Sequence, residues 1–256
     1  MASRFSLVAL GIGVYLAVVV ASFPASLAHR WFSPDSIRLA AVDGTIWQGG
    51  AAYGAVGGVS FSDLRWRLEA LALLTGKIRL GAEARLSEGF VNAEVTASGN
   101  EVRLSELRLS TNLAVFRDVL REAMSVNEIG GVVNLSLESL VLVDGWPVSA
   151  AGSLEIVELT APPLIPVEGV TSIPLGNYRV QFTPTAEPGI AASINDTGGP
   201  LELAGRLSLL PDRSYVLDSL VKPRAGAHEV LVQGLEIWSP DATADGRRKF
   251  VERGTL

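Results

Sequence analysis

Hydrophobic and polar residues alternate one by one along much of this 256-residue chain. Residues 77–86 show the pattern most clearly, because every second side chain there is apolar or small. Successive side chains of a strand point to opposite faces of a sheet, so this period predicts a strand with one buried face. Similar stretches at 59–68, 91–97 and 102–109 are separated by Gly, Asp or Asn residues, which are typical of short turns. The pattern predicts a mainly β fold, built as an antiparallel meander.

The same rhythm continues in the second half of the chain. Strands are expected at 132–143, 146–159, 177–182, 189–194, 201–209, 214–221 and 229–237. The stretch 160–174 holds four prolines, which cannot donate to a strand ladder, so we expect an irregular crossover and a possible internal boundary there. We therefore predict one long curved antiparallel sheet, or a sandwich-like meander, over 36–238. Residues 239–256 are polar and are predicted to form a tail or a short final helix.

One segment departs from the strand period. Leu113, Phe116, Leu120 and Met124 recur at helical spacing, and Thr111 or Asn112 could cap the helix. This predicts one amphipathic helix near 112–124 that lies on the sheet. A helix at a membrane surface is the alternative, but the polar side mixes acids with bases, which favours packing on the sheet.

The N-terminal residues 5–28 carry no charge. Roughly 20 apolar residues cross a hydrocarbon core about 30 Å thick, so we predict a transmembrane anchor within 1–28, with the span at 5–23. The residues assigned to it include Phe5, Leu10, Gly13, Ala17 and Phe23, and Gly13 with Ala17 could ease close helix packing. A cleaved signal peptide ending at Ala28 is the alternative, but a usual signal core has only about 7–15 residues.

Residues 29–35 are expected to form a connector next to the membrane. Trp31 and Phe32 could lie at the lipid–water boundary or pack on the domain. Arg4 favours a cytoplasmic N-terminus and Arg30 opposes it, so the charge asymmetry that sets orientation is small. We assign the bulk of the chain to the far side of the membrane.

Charge limits the partners. The formal net charge is −6, and residues 33–256 carry −8 (−6 minus the +2 of Arg4 and Arg30). An acidic domain lacks the basic face that nucleic acid requires, so no nucleic-acid partner is expected. The chain has no cysteine, which excludes disulfides and thiolate metal sites.

Catalytic chemistry is not indicated. The chain has two histidines, His29 and His228, and neither lies in a recognisable nucleophile or metal motif, so we expect no catalytic site, cofactor or metal. Four tryptophans could contact a partner or a lipid, although such residues more often fill a core: Trp47, Trp66, Trp146 and Trp238.

Several stretches, taken in order, resemble the type II secretion system protein N (GspN) family. They are the uncharged N-terminus, 44–49 (GTIWQG), 64–66 (LRW), 205–215 (GRLSLLPDRSY), 223–225 (PRA) and 245–254. The resemblance runs over nearly the whole chain, but residues 77–200 match only in general β character.

The resemblance implies a single-pass inner-membrane protein of a Gram-negative bacterium whose β-rich domain faces the periplasm. It also implies an accessory, non-enzymatic role in the machine that exports folded proteins across the outer membrane. The implied partners are other inner-membrane secretion components, including the GspC-type protein. The rival class is lipid handling, because AsmA-like proteins resemble this layout and could hold acyl chains along an apolar sheet face. An open apolar groove would favour lipid, and a closed core would favour an interaction module.

Overall fold

Thirteen strands form one antiparallel sheet in which each strand pairs with its neighbours in sequence, from β1 at one edge to β13 at the other. The structure, a computed structural model, describes residues 18–19, 21–32, 37–117, 129–163, 169–185 and 189–255. The strands are β1 (Ile37–Gly44), β2 (Gln48–Val56), β3 (Val59–Leu68), β4 (Ile78–Leu86), β5 (Gly89–Ser98), β6 (Glu101–Asn112), β7 (Gly130–Val143), β8 (Trp146–Ala161), β9 (Ile173–Thr183), β10 (Ile190–Gly198), β11 (Leu201–Leu209), β12 (Ser214–Pro223) and β13 (Arg248–Thr255).

Helices are few among the described residues. They are α1 (Ala25–Phe32), α2 (Ala70–Leu73), a 3-10 helix (Leu113–Phe116) and α3 (Glu229–Trp238). Because the strands form a meander, alternate turns lie at opposite ends of the sheet. We call these the Thr45 end, which includes the β1–β2, β3–β4 and β11–β12 turns, and the Gly57 end, which includes the β2–β3 and β4–β5 turns and α3.

The predicted meander and its alternation are confirmed. Leu80 pairs with Val95 and Ala82 with Ala93 across β4 and β5, so the apolar side chains of both strands share one face. The opposite face carries Arg79, Glu83 and other polar residues. We call these the apolar face and the polar face of the sheet.

Bulges keep the apolar face continuous where the strict alternation shifts. In β3, Phe61 pairs with Leu86 and Trp66 with Ala82, although the two residues are five positions apart, an odd offset that would normally place them on opposite faces. The extra residue is taken up at Asp63, whose φ is 51°. Similar shifts occur near Glu106 in β6 and Glu158 in β8, which also have positive φ. An acidic residue therefore occupies each of these bulges.

Glycine permits one close approach on this face. A side chain at Gly54 would collide with the ring of Phe61, its partner on β3, and would also press on Leu39. The glycine thus lets the aromatic ring lie flat over β2.

The predicted strand at 229–237 is wrong, because these residues form α3. The alternating valines suggested a strand, yet the buried residues Val230, Leu231, Gly234 and Leu235 have helical spacing. The imidazole of His228 accepts a hydrogen bond from the Val230 amide at 3.3 Å and caps the helix. Burial against the sheet, rather than local strand propensity, selects the helix.

The buried core lies where α3 covers the apolar face of the C-terminal strands. It contains Ile173, Leu201, Val221, Leu231 and Leu235. Because the apolar face of β4 to β8 has no helix of this size over it among the described residues, the core is concentrated at the Gly57 end of β9 to β13.

Other strand and turn boundaries in the structure differ from what the sequence pattern suggests. The β1–β2 turn comprises Thr45, Ile46 and Trp47, because β1 continues through Gly44 although Asp-Gly is typical of a turn. The stretch predicted as a polar tail contains β13, which pairs with β12 as the last strand of the sheet. Strands β8 and β9 pair directly across the proline-rich stretch.

Parts of the sequence predictions lie outside the described residues. Leu113–Phe116 form a 3-10 helix capped by Asn112, and the rest of the predicted helix, 118–124, is not described. Phe5, Leu10, Gly13, Ala17 and the side chains of Trp31 and Phe32 also lie outside them. None of the helices in the described ranges has the length and apolar character needed to cross a membrane.

Replacing Leu231 by alanine should destabilise the domain by about 2–5 kcal/mol, because a fully buried leucine leaves a cavity when it is truncated. Leu231 is 2% exposed, whereas Ile237 on the same helix is 68% exposed. The control I237A should change stability by about 0.5 kcal/mol or less. Urea unfolding followed by tryptophan fluorescence measures both. Equal effects of the two substitutions would contradict the placement of α3 on the sheet.

Candidate interaction surfaces

The apolar face presents a continuous row of side chains across most of the sheet. Direct cross-strand pairs connect Ala84, Val91, Leu109, Leu135, Leu154, Val180 and Ile194, from β4 to β10. All of them are half-buried. The 3-10 helix contacts both β3 and β7, so the sheet curves around it at the Gly57 end.

The polar face carries paired charges. Arg65 lies 3.8 Å from Glu83, and Arg79 lies 3.1 Å from Glu69. A shallow cavity of about 710 Å³ lies on this face over β2 to β6, where Gly50 and Gly81 leave room between charged side chains. Exposed pairs of this kind contribute about 0–1 kcal/mol each and are typical of a solvated surface.

Histidine and carboxylate groups do not assemble a reactive centre in the described ranges. No group of three side chains there could hold a metal ion. His228 is occupied as the cap of α3.

One partly buried ion pair lies on the apolar face. Arg224 Nη2 lies 2.6 Å from Asp196 Oδ1, and the amide of Leu203 donates to Asp196 Oδ2 at 3.0 Å. The same guanidinium donates to the carbonyls of Gly199 and Leu201 at 2.9 and 2.7 Å. Arg224 thereby connects the end of β12 to the β10–β11 turn.

Burial alone would raise the pKa of Asp196, but the amide of Leu203 and the guanidinium of Arg224 together hold that pKa below its usual value. Tyr178 lies opposite Asp196 on β9 and donates to the carbonyl of Leu175 at 2.7 Å. Burial, and then the negative charge of Asp196, raise the pKa of Tyr178 to about 12. All three polar groups are satisfied within the protein, so we interpret this cluster as a structural clamp.

The four tryptophans lie at separate places. Trp66 is half-buried on the apolar face and donates to the carbonyl of Ile46 at 3.3 Å. Trp47 lies in the β1–β2 turn, and its carbonyl accepts from Leu68 at 2.7 Å. Trp146 donates to the carbonyl of Leu210 at 3.0 Å and stacks under Arg213, 5.9 Å from its ring centre. Trp238 ends α3 and is 67% exposed.

Comparison with known proteins decides the family. The family profile described as "Type II secretion system (T2SS), protein N" matches residues 35–251. The chain belongs to the type II secretion system protein N family. It is thus classed with components of that secretion system, as the sequence motifs predicted.

Three relatives carry the name Type II secretion system protein N. The Aeromonas hydrophila protein is 23% identical over 98% of this chain and 97% of its own length. The Vibrio cholerae protein is 27% identical over 95% of both chains. The Klebsiella pneumoniae protein is 26% identical over 90% of this chain and 88% of its own. No solved structure matches the chain.

The clamp was missed by sequence reasoning. Arg224 lies in the PRA motif that supports the family resemblance, but nothing local assigns it a partner. Asp196 follows an alternating strand and is a common turn residue, so its burial on the apolar face becomes evident only from the pairing with Tyr178.

Replacing Asp196 by asparagine should destabilise the domain by about 1.5–3 kcal/mol near neutral pH, because a charge-assisted hydrogen bond to Arg224 is lost. The folded pKa of Asp196 lies below its unfolded value, so its contribution is complete above the unfolded pKa. The difference between wild type and D196N should shrink as pH falls through the folded pKa.

Urea unfolding at several pH values measures this difference. The control D218N removes an exposed pair with Lys249 and should cost about 0–1 kcal/mol. A D196N effect that does not change with pH would contradict an ionised Asp196.

Proposed function

We propose that this protein is a single-pass inner-membrane accessory component of the type II secretion system. Its β-sheet domain lies in the periplasm and acts through contacts with other secretion components, including the GspC-type protein. The observation that carries the proposal is the family match over 35–251, which begins shortly after the uncharged stretch 5–28.

Packing around the end of that stretch supports a retained anchor. The carbonyl of Phe23 accepts a hydrogen bond from Ile46 at 3.1 Å, and Pro24 forms a bridge with Thr45. Ala25 is 4% exposed. The possible cleavage site after Ala28 falls inside α1, and the residues before it are part of the folded domain.

Mature protein isolated from the membrane fraction should therefore retain the uncharged stretch. Mass spectrometry is expected to find peptides that extend N-terminal to Ala28. A mature N-terminus at His29 would contradict the anchor, because the protein would then be released as a soluble periplasmic domain.

An exposed apolar pair at the end of α3 is the surface that we propose for a partner. Ile237 and Trp238 are 68% and 67% exposed. The buried residues Leu231 and Leu235 hold the helix on the sheet, and Arg248 donates to the carbonyls of Ser239 and Pro240 just beyond it. The pair is thus presented on a rigid support, which lowers the ordering cost of binding. Tryptophan is also among the residues that contribute most at protein interfaces.

A photo-crosslinking residue placed at Trp238 should capture a secretion component, with the GspC-type protein as the first expectation. Tyr53 is the matched control, since it is equally exposed at 67% but lies on β2, on the polar face. Cells with an intact secretion system are irradiated and the adducts are identified by mass spectrometry. In a purified complex, W238A should weaken the partner's affinity about tenfold or more.

Equal adducts from positions 238 and 53, or adducts with phospholipid alone, would contradict the proposed contact. The open apolar row from β4 to β10 is the feature that a lipid-handling role would need, but the family match favours secretion. Deleting the gene distinguishes the secretion role from the lipid-handling role. Unchanged secretion with altered outer-membrane permeability would overturn the secretion role and support lipid handling.

A further inference from the structure

The β3–β4 connection exposes leucines that the fold does not use. Leu71, Leu73 and Leu74 in and after α2 are 78%, 41% and 84% exposed, and Ile78 at the start of β4 is 51% exposed. No residue of α2 is buried. A cluster of large apolar side chains at one loop tip is typical of a surface that meets another apolar phase.

Hydrogen bonds place this loop beside the end of the uncharged stretch. The amide of Ile46 donates to the carbonyl of Phe23 at 3.1 Å, and the amide of Leu68, just before the loop, donates to the carbonyl of Trp47 at 2.7 Å. The leucine loop, as we call residues 69–77 between β3 and β4, and the uncharged stretch are therefore joined through one turn, β1–β2, at the Thr45 end of the sheet. The 17 residues before Val18 lie outside the described chain and continue the uncharged stretch from residue 5.

The second half of the loop is closed by its own backbone hydrogen bonds. The amides of Leu74, Thr75, Gly76 and Lys77 donate to carbonyls within α2, and the hydroxyl of Thr75 donates to the carbonyl of Ala72 at 2.7 Å. Unsatisfied backbone groups are costly in an apolar phase, so a closed turn of this kind can enter one. Charged groups stay behind the tip, where Arg79 pairs with Glu69 at 3.1 Å and Lys77 is exposed.

We propose that Leu71, Leu73 and Leu74 insert into the interfacial layer of the bilayer that holds the anchor. The proposal rests on the membrane anchoring proposed above and adds a second contact with the lipid. Apolar side chains enter the headgroup and acyl boundary, while Lys77 remains at the level of the lipid phosphates. Two contacts fix the tilt of the sheet, with the Thr45 end on the membrane and Trp238 at the far end.

The absence of native cysteine allows a direct test. The full chain is reconstituted into phosphatidylethanolamine–phosphatidylglycerol vesicles with an environment-sensitive NBD label on L71C or L74C. The control is F90C, which is 49% exposed at the Gly57 end. We expect the labels at 71 and 74 to emit at shorter wavelength and to lose intensity when the vesicles contain doxyl lipids. The label at 90 should do neither.

Flotation of the protein with the vesicles measures attachment through the anchor, independently of the loop. If the protein floats but the labels at 71 and 74 remain exposed to water, the loop contact is overturned and the anchor proposal still holds. A wavelength shift without doxyl quenching, dependent on protein density, shows that a second copy covers the leucines and also overturns the proposal. Loss of flotation with water-exposed labels overturns both. Unchanged circular dichroism of the labelled variants shows that the sheet is intact.

Discussion

The structure depends on keeping most of the large apolar side chains on one face of a single-layer sheet. A one-residue slip in a strand moves all of the following side chains to the other face. In β3, the bulge at Asp63 keeps Leu64, Trp66 and Leu68 with Phe61. A positive-φ residue costs about 1–3 kcal/mol, whereas full burial of one large apolar side chain contributes about 1.5–3 kcal/mol, so the partial burial of Leu64, Trp66 and Leu68 together offsets that cost. The bulges therefore stabilise the sheet, and the polar acid at each one remains on the wet side.

Most of the sheet could be predicted from local pattern, since apolar or small residues alternate with mostly polar ones over 78–86 in β4 and 91–97 in β5. The bulges also leave a trace in the sequence, as apolar residues spaced by three around an acid in Phe61–Leu64 and Leu104–Leu107. Helix α3 could not be predicted in this way, because Val230 and Val232 favour a strand locally. The helix forms because it buries Leu231 and Leu235 against the sheet. The Asp196–Arg224 clamp depends on residues brought together by the register of three strands, which no short motif encodes.

An open sheet has two edges, and this one protects them differently. β13 carries Arg248, Lys249, Glu252 and Arg253, and charged side chains oppose pairing with another chain. The β1 edge is contacted by α1, which continues from the stretch proposed as anchor. The polar appearance of the last residues thus has a structural cause. Arg248–Thr255 form an edge strand, where charge protects against aggregation, and a tail would look the same in sequence.

The two ends of the sheet differ in what they expose, and this asymmetry gives the proposed function its geometry. At the Thr45 end, Phe23, the β1–β2 turn and the leucine loop are linked by backbone hydrogen bonds, so a membrane contact there is transmitted directly to β1 to β4. At the Gly57 end, α3 is fixed by the buried core and presents Trp238. A meander of paired strands is stiff along the strand direction, because every strand is held by its neighbours. The fold therefore places the proposed membrane contact and the proposed partner contact at opposite ends of the sheet, separated by about the length of a strand.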